Sequence, residues 1–100
     1  MDIIRYTVRA EFAEQNKANI RQVIEELQAL HCTDITYSVF VQDDGKTFQH
    51  RLLCANEEAK QVFVSLTSFK AFQTALAASQ LEVPPAIIHL TLVGSTSDLF

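Results

Sequence analysis

Apolar and polar residues alternate from residue 3 to residue 11. Ile4, Tyr6, Val8 and Ala10 fall on one side, and Arg5, Thr7, Arg9 and Glu11 on the other. A period of two is that of a β-strand with unlike faces. From about Ala13 to His31 the period lengthens. Ile20, Val23, Ile24, Leu27 and Leu30 recur at helical spacing, while Glu14, Lys17, Arg21, Glu25 and Gln28 cover the outside. That is an amphipathic helix. Alternation returns over Ile35–Gln42, rich in β-branched and aromatic residues, with Tyr37, Val39 and Val41 on one face and Phe40 on the other.

Asp43-Asp44-Gly45-Lys46 then marks a hairpin turn, because Gly45 permits the positive φ that such a turn needs. A third strand runs from Lys46 to about Ala55. Asn56 is a good N-cap for a short helix opening on Glu57 and Glu58. A second start near Thr67 or Ser68 places Phe69, Phe72, Ala75 and Leu76 on an inner side, with a break expected near Ser65–Ser68. Pro84-Pro85 is expected to end the connection, Ile87–Val93 to form the last strand, and Gly94–Phe100 to be a tail.

The order is βαββαβ, the ferredoxin-like split βαβ arrangement: an α+β fold with a four-stranded, mostly antiparallel sheet and its helices on one face. No linker, repeat or low-complexity stretch interrupts it, so residues 1–100 read as one domain. A chain of this length buries roughly two thirds of its unfolded surface. Large apolar groups on both faces of the second strand predict that the helix-free sheet face is covered, most simply by a second copy with two-fold symmetry.

Charge and cysteine content narrow the setting. The net charge is −4 and the eight Lys and Arg are scattered, which argues against nucleic acid as a partner. Two cysteines, Cys32 and Cys54, are too few for a disulfide framework and read as free thiols in a reducing cytoplasm. Asp2 and Arg5 in the first strand, and the lack of any apolar run of about 20 residues, predict neither a signal peptide nor a membrane span.

His50 is the leading candidate for chemistry. It lies mid-strand, flanked on its own strand face by Phe48 and Leu52, where an imidazole can act as a general base or simply pack with its nitrogens hydrogen-bonded. The hairpin decides its neighbours. A two-residue Asp44-Gly45 loop pairs Val39 with His50 and Tyr37 with Leu52. A three-residue loop pairs Ser38 with His50 and turns the ring to the other face. The first aligns the apolar sets and is preferred, which puts His50 at the wall of an interior cavity near Tyr37 and Phe48, on a face that the dimer covers. His89, on the last strand, joins Arg5 on the adjacent first strand in a polar patch for an anionic group if the two faces coincide. His31-Cys32 offers no second ligand pair at metal spacing, so no metal site is expected. With two glycines, no phosphate loop or nucleophile elbow is present.

The chain resembles the dimeric α/β-barrel superfamily, and within it the antibiotic-biosynthesis-monooxygenase-like small proteins. The resembling segments are Ile4-Arg-Tyr-Thr-Val8, Ile35-Thr-Tyr-Ser-Val-Phe40, the Asp44-Gly45 turn, Thr47-Phe-Gln-His50, Ser68-Phe-Lys-Ala-Phe-Gln73, Pro84-Pro85 and Val93-Gly-Ser95. Their order and spacing over nearly the whole chain carry the resemblance. It implies a homodimer through the helix-free sheet face, with a small, largely apolar cavity in each half. It also implies a cofactor-independent oxygenase acting on a small apolar or aromatic molecule, with no cofactor. The chain departs from the heme-degrading type of this superfamily, which relies on a Trp that is missing here. A non-catalytic dimer that binds a small ligand or serves as an interaction unit is the alternative.

Overall fold

A computed structural model describes residues 1–98. Its elements are β1 (Asp2–Thr7), α1 (Ala13–Ala29), β2 (Ile35–Val41), β3 (Thr47–Cys54), α2 (Glu57–Val64), α3 (Thr67–Ala78) and β4 (Val83–His89). The strands form one sheet in the order β2-β3-β1-β4, every neighbour antiparallel. This is the ferredoxin-like α+β arrangement read from the sequence.

The β2–β3 hairpin takes the register that pairs Val39 with His50 and Tyr37 with Leu52. Ladder bonding stops at Gln42 and Thr47, whose N–H to O distance is 2.8 Å. Gly45 supplies the left-handed residue, φ 75°. The Asp44 carboxylate locks the turn by accepting from the Lys46 and Thr47 amides, each at 2.9 Å. Asn56 caps α2 by accepting from the Ala59 amide at 2.8 Å. Helix α2 ends at Val64 and α3 starts at Thr67, so the expected break is present. Glu26 of α1 caps α3 from outside by accepting from the Ser68 amide at 2.9 Å.

Three expectations change. The first strand ends at Thr7, and residues Ala10–Phe12 form a 3-10 turn leading into α1, so Arg9 and Glu11 leave the sheet. The last strand begins four residues earlier than its pattern indicated and contains Pro84-Pro85. Proline cannot donate to a ladder, but β4 is an edge strand and its pairing with β1 shifts register between Arg5 and Thr7, where the prolines sit. Finally, Tyr37 and Val39 turn toward the helices rather than outward. The helix-free face is therefore mixed: Phe40 and Ile88 stand there beside polar groups, and the Arg51 guanidinium lies 5.1 Å from the Phe40 ring centroid.

The core lies between the sheet and the three helices. Ile20, Val23, Phe72 and Leu76 are buried in it as their spacing predicted, and Ile24, Leu27 and Phe69 pack partly buried around them. Phe48 stacks on Tyr6, ring centroids 5.8 Å apart, and is 1% exposed. Truncating so enclosed a ring costs both transfer energy and a cavity, so Phe48→Ala is expected to lose about 3–5 kcal/mol in urea unfolding. Leu27→Ala, at the half-buried margin, is expected to lose less than half of that. A Phe48→Ala loss below about 1 kcal/mol would place that ring outside the core.

Candidate functional site

His50 occupies the central part of β3, between β1 and β2. Its direct cross-strand neighbours are Ile4 and Val39. Its diagonal neighbours are Tyr6, which pairs with Phe48, and Tyr37, which pairs with Leu52. Diagonal positions on one sheet face are within reach of long aromatic side chains. Both hydroxyls use that reach: Tyr6 Oη lies 2.7 Å from His50 Nε2, and Tyr37 Oη 2.7 Å from His50 Nδ1. Asn16 of α1 extends the chain by donating from Nδ2 to Tyr6 Oη at 2.9 Å. Four side chains from three strands and one helix are thus joined in a line: Asn16, Tyr6, His50, Tyr37.

Aromatic rings enclose this line. Phe72 sits 5.3 Å from the His50 ring and Phe63 4.9 Å from the Tyr37 ring, centroid to centroid. His50 is 3% exposed. Burial disfavours the imidazolium, and no anionic group among the described residues adjoins the ring to compensate, so its pKa falls from 6.5 to about 4. Burial likewise pushes both tyrosines well above their usual range, against a smaller opposing effect of the Asn16 hydrogen bond on Tyr6. At neutral pH all three groups are uncharged.

A cavity of about 440 Å3 adjoins this line, between the sheet and helices α2 and α3. Tyr37, His50 and Tyr6 line it together with Phe63, Phe69 and Phe72. Its β4 side, at Pro85, Ile87 and His89, is exposed. Asp2 and Lys60 stand at the same margin, with Asp2 Oδ1 2.6 Å from His89 Nδ1 and Asp2 Oδ2 3.7 Å from Lys60 Nζ. Burial raises the Asp2 carboxyl, but the His89 hydrogen bond and the nearby positive charges outweigh it and hold the group below its ordinary value. A second hollow of about 420 Å3, lined by Leu27, His31, Cys32 and Thr36, shares Tyr37 but does not reach His50.

The sequence candidates are divided by this geometry. His50 and Tyr37 come together at the cavity, on the helix side of the sheet and not on the face that a second copy would cover. Phe48 belongs to the core beneath and stays out of the lining. His89 pairs with Asp2 and Arg5 with Ala86, so the two lie on opposite faces and form no joint patch. Two members of the line were missed. In the alternation of the first strand Tyr6 stands simply among the apolar residues, and only the structure shows its side to be the buried one, where its hydroxyl needs a partner. Asn16 precedes Ile20 by four and Val23 by seven residues, a polar group on the apolar stripe of α1. Among the described residues no group of three or more His, Cys, Asp or Glu could hold a metal ion, and no helix is long and apolar enough to cross a membrane.

No family model and no curated protein matches the chain. Solved structures do. Rv0793 from Mycobacterium tuberculosis superposes with a TM-score of 0.78 at 15% identity, covering 96% of each chain. An antibiotic biosynthesis monooxygenase superposes at 0.76 and 12% identity, over 93% of this chain and 97% of the other. A variant of SnoaB, a cofactor-independent oxygenase from Streptomyces nogalater, superposes at 0.69 and 11% identity, over 97% and 95%. At these identities the likeness is one of fold: along nearly its whole length the chain has the ferredoxin-like α+β fold of the antibiotic-biosynthesis-monooxygenase-like proteins.

Proposed function

We propose that this protein is a cofactor-independent monooxygenase-like enzyme of the cytoplasm, acting as a homodimer on a small apolar or aromatic molecule. The observation that carries the proposal is the aromatic cavity with the Tyr37–His50 pair in its wall. Its volume lies within the ordinary span of small-ligand sites, and its composition follows the same rule: mostly apolar walls with a few placed polar groups. The fold it shares with SnoaB, described as a cofactor-independent oxygenase, supports the reaction class. In such a reaction the substrate itself supplies the electrons: an activated CH2 and O2 give C=O and H2O, a four-electron oxidation balanced by four-electron reduction of dioxygen. The protein's part is to hold the substrate out of water and to handle the charge of its ionised form. His50 does this through Tyr37, because both ring nitrogens are already engaged by tyrosine hydroxyls. The free thiols Cys32 and Cys54 fit a reducing compartment.

The same engagement of both nitrogens favours a second reading, a non-catalytic protein that binds the same class of molecule. Oxygen uptake separates the two. With a panel of hydroxyarenes that includes 1-naphthol, the enzyme reading expects binding and oxygen consumption matched by product. His50→Gln and Tyr37→Phe should each cut turnover by about 100-fold or more with the fold intact. Binding without oxygen uptake would leave the ligand-binding reading, and no binding by any panel member would remove both.

The proposed dimer is supported by the exposed apolar residues left on β2 and β4. Phe40 is 53% and Ile88 55% exposed on the helix-free face. Equilibrium sedimentation at micromolar concentration is expected to give twice the chain mass, and Phe40→Glu to shift it toward the monomer. A wild-type monomer would contradict the assembly.

A further inference from the structure

The hydrogen-bonded line that ends at the cavity has a direction, and a residue remote from the cavity sets it. The Asn16 amide nitrogen can only donate, so Tyr6 Oη is the acceptor of their 2.9 Å bond. A hydroxyl has a single hydrogen. Among the described residues Tyr6 Oη has one other partner, His50 Nε2 at 2.7 Å, so that hydrogen points to Nε2. Nε2 is then an acceptor, and the neutral ring carries its hydrogen on Nδ1. Nδ1–H donates across 2.7 Å to Tyr37 Oη. Tyr37 keeps its own hydrogen, which meets no acceptor among the described residues, and Tyr37 lines the cavity. With the Asn16 amide nitrogen facing Tyr6, running the line backwards would leave the Tyr6 hydrogen buried without an acceptor, the kind of orphan that folded proteins avoid. Asn16 is 0% exposed and its Oδ1 has no partner among the described residues, so it serves this line with one of its two polar atoms only.

We propose that Asn16 is a positioning residue that fixes the tautomer of His50 through Tyr6, leaving the Tyr37 hydroxyl as a donor aimed into the cavity. The ligand group that meets Tyr37 is therefore a hydrogen-bond acceptor, a carbonyl or an oxyanion oxygen. This deepens the function proposed above and rests on it only for the ligand. The Nδ1–H of His50 polarises the Tyr37 O–H, which makes the hydroxyl a better donor to developing negative charge, the role of preorganised donors at oxyanions.

The tautomer is read directly by long-range 1H–15N correlation of the His50 ring in 15N-labelled protein at pH 8. The proposal expects hydrogen on Nδ1 and none on Nε2; the reverse in the wild type would overturn it. Asn16→Asp with its new carboxyl ionised puts an acceptor-only group against Tyr6, which should turn the Tyr6 hydrogen away from the ring and bring a hydrogen onto Nε2. A variant whose Nε2 stays bare while the carboxyl 13C shift reports an ionised group would remove Asn16 from its role. Should that variant not fold, the wild-type spectrum still decides. For the ligand, 1-tetralone and tetralin differ in one carbonyl oxygen. Wild-type protein should bind the ketone about tenfold or more tightly, and Tyr37→Phe should erase the difference. Equal affinities in the wild type would overturn the donor assignment. Hydrogen on Nδ1 with neither compound bound would support Asn16 in its role while counting against the ligand reading.

Discussion

Everything around the site depends on one constraint: a histidine is buried in the middle of the sheet, under helices, where neither of its nitrogens can reach water. A buried polar group without a partner is costly, and a buried charge costlier still. The fold meets the constraint with two tyrosines from the flanking strands, one for each nitrogen, and the ring remains neutral. That solution needs the register which places Tyr6 and Tyr37 diagonally across β3 from His50. A shift of one residue in either ladder would send a tyrosine to the opposite face. The Asp44-Gly45 turn, with its carboxylate holding two amides, therefore acts at a distance on the site by pinning one of the two registers.

Much of the fold was legible because its elements are periodic. The stripe from Ile20 to Leu27, the alternation of β2, the Asn56 cap and the hairpin register all follow from local chemistry. The β4 boundary did not, because prolines usually punctuate; an edge strand with a register shift is one of the few places that accept two of them. The orientation of the second strand was read only halfway. Apolar groups on both faces were visible, but which face meets the helices depends on packing. For the site, His50 and Tyr37 could be named from spacing. Arg5 with His89 failed because the pairing of β1 with β4 sets which faces coincide, and no local pattern encodes it. Tyr6 and Asn16 stayed hidden because a hydrophobic period marks which positions share a face and says nothing of the polar atoms standing on it. A hydroxyl and an amide on inward positions were the signal.

The cavity follows from the same packing. Phe63, Phe69 and Phe72 roof the sheet on one side of the tyrosine–histidine line without filling the space beside it. Their rings supply flat apolar walls, and the line supplies the polar group. The charged cluster of Asp2, Lys60 and His89 lies at the margin, so the interior keeps its low polarity and hydrogen bonds within it are strengthened. Oxygenases that use no cofactor, ligand carriers and other small-molecule proteins all draw on such a space, and the fold alone does not choose between them.

The account stands on His50 being clamped and neutral, and the ring's own titration tests that most directly. The folded-state pKa is lowered, so the native ring binds fewer protons than the unfolded one between about pH 4 and 6.5. Its stabilising neutrality is fully present above 6.5 and lost as the pH falls toward 4, a change of up to about 3 kcal/mol. Following the His50 ring carbon resonances from pH 8 downward by NMR, the account predicts that the folded protein keeps an unprotonated ring until a midpoint near pH 4, with any unfolding linked to this ring setting in between pH 6.5 and 4, where the unfolded ring takes up its proton first. A ring that titrates near pH 6.5 in the folded protein would contradict it, because it would show an imidazole in contact with water and free of the two tyrosines.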